Sequence, residues 1–185
     1  MKQFYTERSL SVAASRNNLS SSQPDPTFGR VSSTRVRLLS PTAERILASE
    51  IQMPPCRALI VEDYEEFRQL LHSLLQKDTE CVVVGEACDG LQAVDQAHGL
   101  QPDLILLDLS LPKMNGMEVL RRIRKLSPNS KVVILSQDSS SEVVRGALGF
   151  GAVGYLLKSD AIELPLAVDA VLQGEVYVSS RVKAE

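Results

Sequence analysis

The sequence predicts an α/β fold, a doubly wound parallel sheet of five strands with helices on both faces. Two observations carry that expectation. From Cys56 onward, short β-branched or leucine-rich runs alternate with stretches of helical periodicity, the pattern of successive strand–helix units. In addition, Leu59-Ile60-Val61-Glu62-Asp63, Leu104-Ile105-Leu106-Leu107-Asp108 and Tyr155-Leu156-Leu157-Lys158 are continuously apolar before they end on charge. Such runs read as strands buried on both faces, which occur mainly in parallel sheets covered by helices.

Each element follows in order. Strand one spans about 57–62. The first helix runs from near Glu65 to Gln76, with Phe67, Leu70, Leu71, Leu74 and Leu75 at the spacing of an inward stripe. Residues 81–86 are β-branched and read as strand two, and Asp89-Gly90 caps a helix whose apolar side is Ala93, Val94 and Ala97. Strand three is 104–108, followed by a loop from Pro112 to Gly116. Met117, Leu120 and Ile123 define the third helix, whose wet face holds Arg121, Arg122, Arg124 and Lys125. Strand four is 132–135, and Val143, Val144, Ala147 and Leu148 mark the fourth helix. The segment 149–154 turns into strand five at 155–157. Leu164, Ala167, Val168, Val171 and Leu172 stripe the fifth helix, with Pro165 confined to its first turn.

The chain of 185 residues has room for one such domain and a tail. Its composition is globular, 44% hydrophobic and 23% charged. No run approaches the length of a membrane span, and the start lacks the apolar segment of a secretory signal. Cys56, Cys81 and Cys88 have no metal-type spacing and read as buried, reduced thiols of a cytoplasmic protein.

Residues 1–54 read as a disordered polar and basic tail, 55–179 as the folded domain, and 180–185 as a short C-terminal tail. Within the first segment, Ser40-Pro41 can start a short helix with Ala43, Ile46, Leu47 and Ile51 on one side. Residues 1–55 carry a net charge of +3, which leaves −6 for the remainder of a chain whose total is −3. An acidic body does not suggest nucleic-acid binding.

In an open parallel sheet, ligands bind at the carboxyl ends of the strands, where the order reverses. Glu62, Asp63, Asp108, Ser136 and Lys158 would all end strands on that edge. Each alone has an ordinary explanation, because Asp and Ser commonly end strands and a Lys after an apolar run often faces water. Together they put three carboxylates against one ammonium. Gathering like charges is unfavourable, and Mg²⁺ held by Asp63 and Asp108, with Glu62 nearby, would settle the balance. A carboxylate can also be a covalent nucleophile toward phosphorus. Lys158 would then balance the phosphoryl oxygens and Ser136 would donate a hydroxyl hydrogen bond.

With these residues in place, the segment from about Arg57 to Val178 resembles the receiver domain of two-component response regulators. Val61-Glu62-Asp63 is similar to the family's acidic pair, and the stretch Leu107-Asp108-Leu109-Ser110-Leu111-Pro112-Lys113-Met114-Asn115-Gly116 to its phosphoacceptor strand and loop. Ser136, Tyr155 and Lys158 stand where the family has its Thr/Ser, switch aromatic and lysine. The resemblance implies a flavodoxin-like sheet of order 2-1-3-4-5 and phosphorylation of Asp108 by a sensor histidine kinase or phosphotransfer protein. It implies Mg²⁺ on Glu62, Asp63, Asp108 and the backbone carbonyl of Ser110. Ser136 and Lys158 would stabilise the phosphoryl group. Ser136 and Tyr155 would carry the switch to the face made by the fourth helix, fifth strand and fifth helix, which a partner or a second copy would read.

Gly154-Tyr155-Leu156-Leu157-Lys158-Ser159-Asp160-Ala161, with Gly174-Glu175-Val176-Tyr177-Val178 behind it, is similar to receivers of the NarL/FixJ type. Those normally precede a helix-turn-helix domain, whereas seven residues follow Val178 here. The expectation is therefore a chain without direct DNA binding of its own, with a fragment of a transcriptional regulator as the alternative. Of the other classes, an aspartyl-phosphate phosphatase of the haloacid-dehalogenase type wants a second Asp where Ser110 stands. A flavin-binding reading meets the acidic Glu62-Asp63-Tyr64-Glu65-Glu66, which would repel a phosphate. A docking scaffold would not need an intact site.

Overall fold

The computed structural model describes residues 54–182. The expected tail and its short helix after Ser40 lie outside the described residues. The elements are β1 (Cys56–Val61), α1 (Glu65–Asp78), β2 (Cys81–Ala87), α2 (Gly90–Leu100), β3 (Leu104–Asp108), α3 (Gly116–Leu126), β4 (Lys131–Ser136), α4 (Ser141–Gly149), β5 (Gly154–Leu157), a 3₁₀ helix (Lys158–Glu163), α5 (Leu164–Leu172) and β6 (Tyr177–Val178). The sheet is parallel throughout, in the order β2-β1-β3-β4-β5-β6.

The apolar strands obey a period of two. Leu59, Val61, Ile105, Leu107, Val132, Ile134, Tyr155 and Leu157 face one core layer, closed by α2, α3 and α4 through Ala93, Ala97, Val119, Leu120, Ile123, Val144 and Ala147. Their neighbours Ala58, Ile60, Leu104, Leu106, Val133, Leu135 and Leu156 face the other, closed by α1 and α5 through Leu71, Leu75, Leu164, Val168 and Val171. A sheet covered on both faces needs strands without polar alternation, and this chain supplies them. Connection from β1 outward to β2 and then back past β1 to β3 creates the order reversal between β1 and β3, where a ligand crevice opens.

Local signals set the helix ends. Asp89 accepts hydrogen bonds from the Leu91 and Gln92 amides at 2.9 Å each, so the expected cap of α2 is present. Asn115 caps α3 through the Met117 amide at 2.9 Å. Pro165 lies in the first turn of α5.

Three expectations differ from the structure. The sheet has six strands rather than five, because Gly174, at φ +90°, turns the chain back so that Tyr177 and Val178 pair with Gly154 and Tyr155. Two residues are too few to show a period in sequence. Leu70, placed in the inward stripe of α1, is 45% exposed, since Leu71 and Leu75 fill the contact with the sheet while Phe67 and Leu74 flank it. Cys88, expected to be buried, is exposed where β2 gives way to the cap of α2; Cys81 is buried, Cys56 half-buried, and all three are free thiols.

The C-terminal segment is tied to β5. The Ser179 amide donates to the Tyr155 carbonyl and the Leu157 amide donates to Ser179 Oγ, both at 2.9 Å. Arg181 pairs with buried Asp160 at 3.2 Å. Among the described residues no helix is long and apolar enough to cross a membrane.

Candidate functional site

At the carboxyl edge of the sheet, β1 runs directly into Glu62 and Asp63, β3 ends on Asp108, and β5 runs into Lys158. These residues, with Tyr64, Phe67, Ser110 and Gln137, line a cleft of about 450 Å³. Glu62 is fully buried and Asp108 is 1% exposed, while Asp63 is open to solvent. The Lys158 ammonium lies between the two buried carboxylates, 2.8 Å from Glu62 Oε2, 3.0 Å from Glu62 Oε1 and 2.9 Å from Asp108 Oδ2. Its aliphatic and cationic end also sits over the Phe67 ring, 5.1 Å from the centroid.

Desolvation pushes the Glu62 carboxyl above the ordinary glutamate range, and the neighbouring Asp108 charge adds to it, while the Lys158 hydrogen bond opposes both. Burial acts to lower the Lys158 ammonium, but Glu62 and then Asp108 outweigh it and hold the group above the ordinary lysine value. Three carboxylates face one ammonium, so the cluster keeps a formal excess of two negative charges when all are ionised.

That excess has a structural signature. Glu62 Oε2 and Asp108 Oδ2 are buried and are met by one shared ammonium, Lys158, at 2.8 Å and 2.9 Å. One cation between two buried carboxylates offsets their charge only in part. Glu62, Asp63 and Asp108 each offer an oxygen within 4.8 Å of the others. Hard oxygen donors carrying that charge suit a divalent cation, so the residues present fit a metal.

The loop after β3 is held from two sides. The Ser110 amide donates to Asp108 Oδ1 at 3.1 Å, and Lys113, at φ +64°, pairs with buried Asp89 at 2.5 Å. Gly116 starts α3 against the strand itself. A Cβ there would come within 2.5 Å of the Leu109 Cα and 2.6 Å of the Asp108 carbonyl oxygen, so only glycine permits this approach.

Ser136 is buried beside the cleft rather than on its lining. Its hydroxyl oxygen accepts the Asp138 amide at 3.1 Å. Tyr155 is fully buried in the layer under α3 and α4 and donates its hydroxyl to the Asp138 carbonyl at 2.8 Å, so Ser136 and Tyr155 both bond to Asp138. Burial raises the phenol above its ordinary value. The structure therefore brings Glu62, Asp63, Asp108, Ser110 and Lys158 together, with Ser136 on β4 and Tyr155 on β5 joined through Asp138.

Several participants were not singled out from sequence. Arg68 donates to the Glu62 carbonyl at 2.8 Å and to Glu86 at 3.0 Å, fixing the turn that carries the acidic pair. Phe67 reads in sequence only as part of an apolar stripe, yet it abuts Lys158. Asp89 was read as a helix cap, and its second oxygen holds the loop after β3. None of these roles leaves a spacing signal, because each joins residues from different strand–helix units.

The family model for the response regulator receiver domain matches residues 58–169. The chain is 38% identical over 126 residues to the nitrate/nitrite response regulator protein NarL of Escherichia coli K12, covering 68% of this chain and 58% of that protein. It is 36% identical over 140 residues to the transcriptional regulatory protein DegU of Brevibacillus brevis, covering 75% and 57% respectively. It thus spans somewhat more than half the length of these curated relatives. Among solved structures, a two-component response regulator of the LuxR family from Aurantimonas matches with a TM-score of 0.65 and 30% identity, over 69% of this chain and 91% of that one. The signal receiver domain of a NarL response regulator from Mycobacterium tuberculosis matches with a TM-score of 0.61 and 31% identity, over 65% and 98%.

Proposed function

The chain belongs to the response-regulator receiver family, and from that premise we propose that Asp108 accepts a phosphoryl group from a sensor histidine kinase or phosphotransfer protein. The observation that carries the reading is the pair of buried carboxylates, Glu62 and Asp108, that share the single Lys158 ammonium at the open end of the sheet.

An Asp108 carboxylate oxygen attacks phosphorus, the new O–P bond forms, and the P–N bond to the donor imidazole breaks, leaving the electron pair on the donor. Lys158 is placed to offset the charge of the phosphoryl oxygens, since its ammonium already touches Asp108 Oδ2 at 2.9 Å. Ser136 supplies a hydroxyl donor to the phosphoryl group, while its oxygen can keep accepting the Asp138 amide. Glu62, Asp63, Asp108 and the Ser110 carbonyl would hold Mg²⁺, which when bound neutralises the attacking and transferring oxygens. Arg68 keeps the Glu62 carbonyl, and with it the turn to Asp63, in place.

Movement of Ser136 toward the phosphoryl group disturbs its bond to the Asp138 amide and, through that residue, the bond of Tyr155 to the Asp138 carbonyl, at the entrance to α4. This couples the phosphoryl group to the face of α4, β5 and α5, which a partner or a second copy reads. The protein acts as a stoichiometric switch in the cytoplasm, with self-phosphorylation and autodephosphorylation as its chemistry. A second reading, favoured by the relative DegU being a transcriptional regulatory protein and by the relatives' greater length, makes this site the input of a transcriptional regulator.

Incubation with acetyl phosphate and Mg²⁺ tests the function. A receiver stops near one phosphate per chain. Continued release of inorganic phosphate without accumulation of label would favour an aspartyl-phosphate phosphatase, and absence of both label and release would favour a scaffold.

A further inference from the structure

The amino-terminal edge of the sheet carries chemistry that the cleft at the opposite edge does not use. Cys56 opens β1, Cys81 opens β2, and the two residues are direct register partners in the parallel ladder. Residues so paired lie about 4.8 Å apart, inside the ~4.4–6.8 Å separation of disulfide-linked Cα atoms. Both side chains leave the same face of the sheet, against the layer that contains Ala58, Leu71 and Leu75.

Within this pair each thiol is the other's strongest electrostatic neighbour. Cys81, with burial behind it, pushes the Cys56 thiol far above the ordinary range, while Cys56 and Thr79 act to lower Cys81. The first thiolate of the pair therefore forms beside a thiol that keeps its proton. Access comes from the Cys56 side, where a cleft of about 330 Å³ is lined by Cys56, Pro54, Asp103, Asn129, Lys131 and Leu172. Position also limits the damage. Cys56 stands at the first residue of its strand, where one ladder end gives way more easily than a mid-strand pair.

We propose that Cys56 and Cys81 form a dithiol that hydrogen peroxide converts into an intrachain disulfide, clamping the start of β1 to the edge strand β2. One sulfur of the pair, as its thiolate, attacks one peroxide oxygen, the O–O bond breaks, and the departing hydroxide takes up the proton that this thiol had released, leaving as water. The other sulfur then attacks the sulfenic sulfur. The S–S bond forms, the S–O bond breaks, and the oxygen leaves as water with the second thiol's proton. Two thiols lose two electrons in all, and one peroxide becomes two waters. In a reducing compartment the pair stays a dithiol until peroxide rises. Cys88 cannot compete for either partner, because seven residues of extended chain put it ~23 Å from Cys81.

The test uses the full chain carrying Cys88→Ser, treated with hydrogen peroxide, unfolded and alkylated. Expected results are the loss of both alkylatable thiols, an intact mass lower by two hydrogens, and a digest with one crosslinked peptide pair containing Cys56 and Cys81. Dithiothreitol should reverse all three. Adding Cys56→Ser should abolish the crosslink and leave Cys81 as a sulfenic or sulfinic acid. As a second readout, exchange of the β1 and β2 amides nearest the pair should slow in the oxidised chain. Two results would overturn the proposal: both thiols remaining alkylatable at a peroxide dose that oxidises Cys88 in the wild type, or both reaching the sulfinic state without a crosslink.

Discussion

At the amino end of β4, Ser130 Oγ donates to the Pro102 carbonyl at 2.5 Å and lies 2.7 Å from Ser127 Oγ, which reaches Gln101 Oε1 at 3.2 Å. At the carboxyl end of neighbouring β3, Asp108 Oδ2 and the adjacent Glu62 Oε2 are as deeply buried and share one ammonium, Lys158. Both regions take polar atoms out of water, and only the first does so without leaving excess charge. A closed network of neutral groups stabilises the connection it spans. An open cluster of like charges is unfavourable in the folded chain and persists where function needs it. The difference separates the structural end of this sheet from its chemical end without reference to any relative.

Asp108→Asn gives the largest effect on that contrast. Phosphoryl labelling by acetyl phosphate should fall to background, while the metal-free domain should melt no lower than wild type, since a crowded negative charge has gone. Loss of the fold in this variant would mean that the carboxyl end is structural after all. Magnesium comes next. Because it binds only the folded form, it should stabilise the domain by about 2.7 kcal/mol at a hundredfold excess over its Kd, read as a rise in Tm, and Asp63→Ala should remove most of the rise.

Ser130→Ala probes the other end. It leaves the buried Pro102 carbonyl without its donor and should destabilise the domain by about 1–3 kcal/mol, measured by denaturant unfolding, with labelling of Asp108 unchanged. A labelling defect as large as the stability defect would erase the distinction between the two ends. The smallest effect is a pH dependence. Glu62 holds its proton in the folded state over a window in which the unfolded chain has already released it. Stability of the metal-free domain should therefore fall as pH rises from the ordinary glutamate value through the raised one. Glu62→Gln should flatten that slope.

The chemical end was more legible in sequence than the structural end. Apolar strands that finish on charge put Glu62, Asp63, Asp108 and Lys158 on one edge as soon as the sheet was recognised as parallel, and the structure brings them into one cleft. The order of the first five strands is the one that the family resemblance implied. By contrast, the network of Gln101, Ser127 and Ser130 is built from common polar residues in two connections 26 positions apart, and nothing in their spacing couples them. Arg68 and Phe67 were hidden for a related reason, since a helix face toward one strand end looks like any amphipathic stripe. The sixth strand was missed because two residues carry no period, and Leu70 was misplaced because a helix on a flat sheet buries a narrower face than its stripe suggests.

Locating the phosphoryl group tests the account most directly. The chain is labelled with acetyl phosphate and Mg²⁺, then treated with borohydride, which reduces an aspartyl phosphate to homoserine, and its peptides are sequenced by mass spectrometry. The account predicts homoserine at position 108 and at no other acidic residue, with none formed when Mg²⁺ is removed by chelation. Homoserine at another position, or labelling that is independent of the cation, would contradict it.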